Sequence, residues 1–336
     1  MKSISSHYFA AANTSEGFVS YYDTIFDVLD ELYIIKGGSG TGKSRLIKEI
    51  GIEAEKREAE IAYFHCSFDP DSLDGIMINN RTAIIDGTAP HVYEPKLPGA
   101  TDNILDLGRF WNAEMLANRR KELISLFEEK SAYFHHAYTY LSAFGRLTET
   151  SGSISQKYLN RDNIRDSIEK MCNLDSCPDA VPLIRLCSAF GRKGTVEFSS
   201  YKDSAEKIIT VSDEKNTHLM SEFFAALQNG KVKIKSYSPY KKMAVNSILL
   251  TNGTAIVPTQ ANGDIDLSEF CSGGLKNEYA ALSDNAHICG SILSHAAERL
   301  QRAADAHDDI EKIYISAMDF EEKERFSREF IQNLKY

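Results

Sequence analysis

The stretch Leu32-Tyr33-Ile34-Ile35-Lys36-Gly37-Gly38-Ser39-Gly40-Thr41-Gly42-Lys43-Ser44-Arg45-Leu46-Ile47 decides the fold. It opens as a short apolar, β-branched run and stops at a lysine and a glycine-rich turn. From Lys43 it resumes as a helical pattern, with Leu46, Ile47 and Ile50 recurring between charges. Strand, glycine turn and helix are the context that the pattern G-x-x-x-x-G-K-S requires, and Gly37 to Ser44 fits that pattern. Glycines let successive backbone N–H groups curl around phosphate oxygens, and the helix start adds its positive dipole end. Lys43 is expected to bridge the β- and γ-phosphates, and the Ser44 hydroxyl to ligate magnesium. The expected nucleotide-binding set is Gly37, Gly38, Ser39, Gly40, Thr41, Gly42, Lys43, Ser44 and the adjoining Arg45.

Outward from this loop, Ile61-Ala62-Tyr63-Phe64 reads as the next strand. Ile76-Met77-Ile78 and Thr82-Ala83-Ile84-Ile85 read as a tight pair about Asn79-Asn80. Asp86 ends the latter run, which is the apolar-run-then-Asp pattern of a magnesium-holding carboxylate, so Ser44 and Asp86 are the expected metal residues. Gly87 follows where many ATP-hydrolysing machines carry a glutamate base, and Thr88 and His91 are the replacements to test. After the Ile61–Phe64 strand comes His65-Cys66-Ser67-Phe68-Asp69-Pro70-Asp71-Ser72-Leu73-Asp74-Gly75. Aspartates at a strand's carboxyl end could orient water, hold a second metal or grip a substrate hydroxyl. A turn with helix-capping aspartates explains them equally. Asp69 and Asp71 join Lys43 and Asp86 as catalytic candidates, while His65 and Cys66 read as packing. From about Leu105 to Leu147 the pattern is helical, with Leu123, Leu126, Phe127, Phe134, Tyr138 and Leu141 as candidate core. Arg109, Arg119 and Arg120 there could reach a γ-phosphate, although a solvated helix face accounts for them. His135 and His136 do not share a helix face, and Trp111 reads as packing.

The second half repeats the plan. Ile208-Ile209 matches Ile34-Ile35 and Tyr237 matches Tyr63 at one offset of 174 residues. Thr254-Ala255-Ile256-Val257 echoes Thr82-Ala83-Ile84-Ile85 after a two-residue slip, with Pro258 in place of Asp86. These matches imply a duplication. A boundary falls near 175–185, where Cys177-Pro178 and Val181-Pro182 break the helical pattern. The domains expected are 1–178, a P-loop domain with a helical extension, and 179–336, a degenerate copy. At the 174 offset the glycine loop becomes Val211 to His218, in which Asp213 and Glu214 would repel phosphate.

At 336 residues with 43% apolar content, the chain can bury cores without disulfides or metal. A formal charge of −10 without a long basic run argues against general nucleic-acid or anionic-membrane binding. No Cys-x-x-Cys pair occurs among the six cysteines, and Cys172 and Cys177 are the closest two. The expectation is reduced thiols in a cytoplasmic protein without a secretory signal or membrane helix.

Taken together, His7-Tyr8-Phe9-Ala10-Ala11-Ala12-Asn13-Thr14, the Lys36–Ser44 loop, His65-Cys66-Ser67, Asp71-Ser72-Leu73-Asp74-Gly75 and Asp86-Gly87-Thr88-Ala89-Pro90-His91 resemble a bacterial family of P-loop ATPases with two tandem P-loop domains. The resemblance spans nearly the whole length and is sharp over residues 7–110; the second copy departs from it by lacking a phosphate loop. It implies a cytoplasmic nucleotide-binding protein. The expected fold is therefore α/β: a P-loop NTPase-type three-layer α/β sandwich, duplicated, with helical extensions. The expected function is ATP binding and hydrolysis with Mg2+. The alternatives are a small-molecule kinase, with Asp69 or Asp71 taking the acceptor proton, and a nucleotide-gated switch whose degenerate domain docks a protein partner.

Overall fold

The computed structural model describes residues 5–27, 29–171, 181–227 and 231–336. Cys172, Cys177 and the Cys177-Pro178 break lie outside the described residues. The first half opens with β1 (Ser5–Phe9), the hairpin β2 (Ala11–Thr14) and β3 (Gly17–Ser20), and α1 (Tyr22–Ile25). Next come β4 (Glu31–Lys36), α2 (Lys43–Lys56), β5 (Ile61–His65), β6 (Leu73–Ile78), β7 (Thr82–Asp86) and β8 (Asp102–Asp106). The helices α3 (Ala113–Asn118), α4 (Arg120–Gln156) and α5 (Arg161–Met171) close it. The second half opens with β9 (Leu183–Ile184), the hairpin β10 (Ser188–Gly191) and β11 (Gly194–Glu197), and α6 (Ser200–Asp203). It continues with β12 (Lys207–Ser212), α7 (Met220–Ala225), β13 (Val232–Tyr237), β14 (Val245–Leu250), β15 (Thr254–Thr259) and β16 (Ile265–Asp266). It ends in α8 (Tyr279–Ser316) and α9 (Phe320–Asn333).

The architecture is α/β with two six-stranded mixed sheets, ordered β1-β5-β6-β7-β4-β8 and β9-β13-β14-β15-β12-β16. The two orders correspond strand for strand, including the central antiparallel pairs. The register corrects the sequence alignment of the copies. Ile35 pairs with Asp86 and Val211 with Pro258, so Ile34-Ile35 corresponds to Thr210-Val211 and not to Ile208-Ile209; the equivalent strand bulges likewise align Tyr237 with His65 and not with Tyr63. A slip of two keeps every side chain on its own face of the sheet, which is why apolar matching tolerated it. Between β6 and β7, Asn79 and Asn80 take φ of 52° and 53°, the left-handed pair of a tight turn closed by the Arg81 N–H on Ile78 O.

Alternation along the strands builds three apolar layers. Ile34 and Ile85 of the first sheet meet Ala255 and Val257 of the second in a shared central core. On the outer face of the first sheet, Ile35 and Ile84 pack against Leu46, Ile47 and Ile50 of α2. The outer face of the second sheet holds Val211 and Ile256.

The helical pattern expected from Leu105 begins later, because Leu105 lies in β8 beside Ile35. Helices α4 and α8, 37 and 38 residues long, pair antiparallel, with Leu123 beside Ile310 and Leu141 beside Leu300. Phe127, an expected core residue, is 42% exposed, since a two-helix arm buries only one stripe of each helix. At about 1.5 Å per residue each arm spans about 55 Å, enough to carry the chain from one sheet to the other. As a result the terminal helices are exchanged. Phe326 and Phe330 of α9 pack on the first sheet, whereas Ile164 and Ile168 of α5 pack on the second. Among the described residues no helix is long and apolar enough to cross a membrane.

Candidate functional site

Between β4 and α2 the loop turns through Gly40 and Gly42, at φ 71° and 79°. A side chain at Gly40 would also bring its Cβ within 3.0 Å of the Glu311 backbone oxygen, so glycine is required twice over. The Thr41 hydroxyl donates to Gly38 O at 2.9 Å, which braces the turn. Lys43 starts α2 and curls back, its Nζ donating to Gly37 O at 3.0 Å and Gly38 O at 2.8 Å. The same Nζ lies 3.5 Å from Asp86 Oδ2 at the end of the adjacent β7. The other oxygen of Asp86 is held by Thr88, through its N–H at 2.9 Å and its hydroxyl at 2.5 Å. Ser44 Oγ accepts from Leu73 N at 2.9 Å. The structure therefore brings Lys43, Ser44, Asp86 and Thr88 together at one end of the first sheet.

Beneath them lies a second polar group. Phe64 pairs with Gly75 but His65 pairs with Leu73, leaving Asp74 as the extra residue of a β-bulge. Such a bulge re-aims its side chain, and Asp74 Oδ2 meets His91 Nε2 at 2.9 Å with both residues buried. Burial works against a charged His91, but the Asp74 carboxylate outweighs it and the ring's pKa is raised. Burial, and then Asp74, push the Cys66 thiol up.

The loop is roofed by the second half. His307 of α8 places Nδ1 3.0 Å from Lys130 Nζ and 3.5 Å from Ser39 Oγ. Gly40 N donates to Glu311 Oε1 at 3.2 Å. Desolvation, and then the charges of Lys130, Lys43 and Arg192, hold the His307 pKa down at about 4 against an ordinary 6.5. Lys130 is itself lowered, by burial first. Arg192, in the β10–β11 turn, reaches Asp69 at 3.1 Å, and the neighbouring Lys193 pairs with Asp71. Lys323 of α9 would touch any Cβ added at Gly42, at 3.3 Å. In a chain of charge −10 these cations gather around one loop, where Lys43, Arg192 and Lys193 each face a carboxylate.

Other expected site residues lie elsewhere. Arg45 sits on the outer face of α2 with Glu49 and Glu324, so only its backbone neighbours the loop. Arg109 stacks over Phe110 and Phe326, and Arg119 pairs with Glu122; neither guanidinium turns to the loop. His65 packs among His7 and Phe198. Asp69 and Asp71 face basic partners from the second half, not Lys43. The groups that sequence reasoning missed are Lys130, Arg192, His307, Glu311 and Lys323. The one local signal for them was the turn Gly191-Arg192-Lys193-Gly194, two cations between glycines. No family model matches this chain, and no curated protein or solved structure matches it either.

Proposed function

We propose that the first sheet with its Gly37–Ser44 loop forms a P-loop NTPase domain, and that the protein binds and hydrolyses a nucleoside triphosphate, ATP in this reading, with magnesium. The observation that carries the proposal is Lys43, whose ammonium lies between the loop carbonyls and the Asp86 carboxylate. An incoming triphosphate takes over Lys43 from Gly37 O and Gly38 O, and the freed loop presents its N–H groups to the β-phosphate. Ser44, whose hydroxyl now accepts from Leu73 N, and Asp86, oriented by Thr88, would hold the magnesium ion, which would offset charge on the phosphates. Arg192, Lys130 and His307, which neighbour one another and Lys43, are the groups assigned to the terminal phosphoryl group in this reading. The exposed Glu311 carboxylate on Gly40 N is the group that a phosphate oxygen displaces.

Hydrolysis is favoured over transfer to a metabolite because Asp69 and Asp71, the aspartates available to take an acceptor proton, are paired with Arg192 and Lys193. The motif resemblance to tandem P-loop ATPases agrees with this reading. The test is γ-labelled ATP with magnesium. Free labelled phosphate is expected, reduced on the order of a hundredfold or more by Lys43→Ala. A labelled metabolite, or tight binding without release, would replace hydrolysis by transfer or by a switch.

A further inference from the structure

Cys66, Asp74 and His91 form a buried cluster that the proposed hydrolysis does not use. We propose that they hold one divalent ion of the zinc class, through the Cys66 thiolate, an Asp74 carboxylate oxygen and a ring nitrogen of His91, with a fourth position open to water. One donor atom from each residue lies within 4.8 Å of the other two. Zinc bonds of about 2.0–2.3 Å give tetrahedral edges of about 3.3–3.8 Å, so closure onto the ion asks for movements of about 1 Å. Asp74 and His91 are 6% and 5% exposed, so the cluster is no solvated acidic patch. The His91 ring is fixed by stacking on Tyr22 and by the edge of Phe18, and its buried Nδ1 has no hydrogen-bond partner.

The second copy shows that the fold does not need these side chains. Ser236 pairs with Ser247 and Tyr237 with Val245, so Asn246 is the extra residue of the equivalent bulge. The Cys66 N–H bonds Ser72 O, and in the same way the Ser238 N–H bonds Ala244 O. The backbone is built alike with Ser238 and Asn246 where the first half has Cys66 and Asp74. The backbone shape therefore does not require the thiol or the carboxylate, and metal ligation would use both.

The donor set also selects the ion. Magnesium takes oxygen ligands and waters, whereas a thiolate, an imidazole and a carboxylate suit zinc. The thiolate and the carboxylate balance the two positive charges, so the ion is buried without net charge. Binding releases the thiol proton to solvent; the proton that His91 Nε2 donates to Asp74 passes to Nδ1, or to solvent from a doubly protonated ring, and the Asp74–His91 hydrogen bond is broken with no change of oxidation state.

The test uses the full chain without nucleotide, equilibrated with zinc and dialysed. Elemental analysis should find one zinc per chain, retained against excess magnesium. Cobalt(II) in its place should give a thiolate-to-metal charge-transfer band that Cys66→Ser abolishes. Asp74→Asn, which copies the residue that the second half tolerates at its bulge, should keep the fold by circular dichroism and bind zinc about tenfold or more weakly. A chain that retains no zinc, a cobalt band that survives Cys66→Ser, or undiminished affinity in a folded Asp74→Asn would overturn the proposal.

Discussion

At the ends of β4 and β12 the same frame treats its loop N–H groups in opposite ways. The strand register places Asp213 where the first half has Gly37. Asp213 Oδ1 accepts from Thr217 N at 2.6 Å and from its hydroxyl at 2.7 Å, while Oδ2 accepts from His218 N at 2.7 Å. The second loop thus carries its own anion. Sequence reasoning expected Asp213 to repel phosphate; the geometry goes further, since the carboxylate already occupies the donors that phosphate would need. The first loop has glycines and no carboxylate of its own. An anion site stays open only when the loop leaves its own anion out, and the second copy has closed by supplying one. Pro258 opposite Val211 stands where the first half has Asp86, the carboxylate proposed to hold the metal.

The largest effect that sharpens this comparison concerns the histidines beside the two loops, His307 of α8 and His218. Burial lowers both pKa values, but three cations push His307 down further, whereas Asp213 pulls His218 back up. His307 is favoured neutral in the fold. The stability it contributes is therefore full above its unfolded pKa of 6.5 and is lost as pH falls toward about 4. That shift corresponds to about 3 kcal/mol. His307→Gln should flatten the acid limb of a denaturation-versus-pH curve between those values. Magnesium-free ATP should raise the His307 pKa in an NMR titration while leaving His218 unmoved. A His307 that titrates normally would break the contrast.

Asp213→Ala should cost about 2 kcal/mol in urea denaturation, because it leaves the N–H groups of Thr217 and His218 without an acceptor. It should not create a second nucleotide site, since the loop still lacks glycines. A gain of nucleotide binding would show that the carboxylate alone closed the copy. The smallest effect belongs to Asp86→Asn. It should bind nucleotide in EDTA as the parent does and lose about tenfold in the affinity that magnesium adds. Unchanged magnesium dependence would move the metal's carboxylate elsewhere.

How much of this was legible in the sequence follows from how local each signal is. The Gly37–Ser44 loop was readable because its strand, turn and helix are contiguous, and Asp86 because an apolar strand ends in it. The repeat was readable as apolar pattern, yet its register slipped by two at β12, where Ile208-Ile209 is a better hydrophobic match than Thr210-Val211. The bulge at Asp74 leaves no mark in composition, so the grouping of Asp74 with Cys66 and His91 was hidden, and Cys66 read as packing. The roof over the loop was hidden most deeply. His307 and Lys323 reach it only because long helices carry the chain back across the molecule, a consequence of tertiary packing that no local window contains. The second half, read in the sequence as a degenerate copy without a phosphate loop, brings Arg192, His307 and Glu311 to the loop of the first.

The central claim is one open loop and one closed loop in a single chain. Isothermal titration calorimetry of the full chain with magnesium and a non-hydrolysable ATP analogue tests it most directly. One site per chain is expected, lost in Lys43→Ala and kept in Asp213→Ala. Two sites per chain, or a single site that survives Lys43→Ala, would contradict the account.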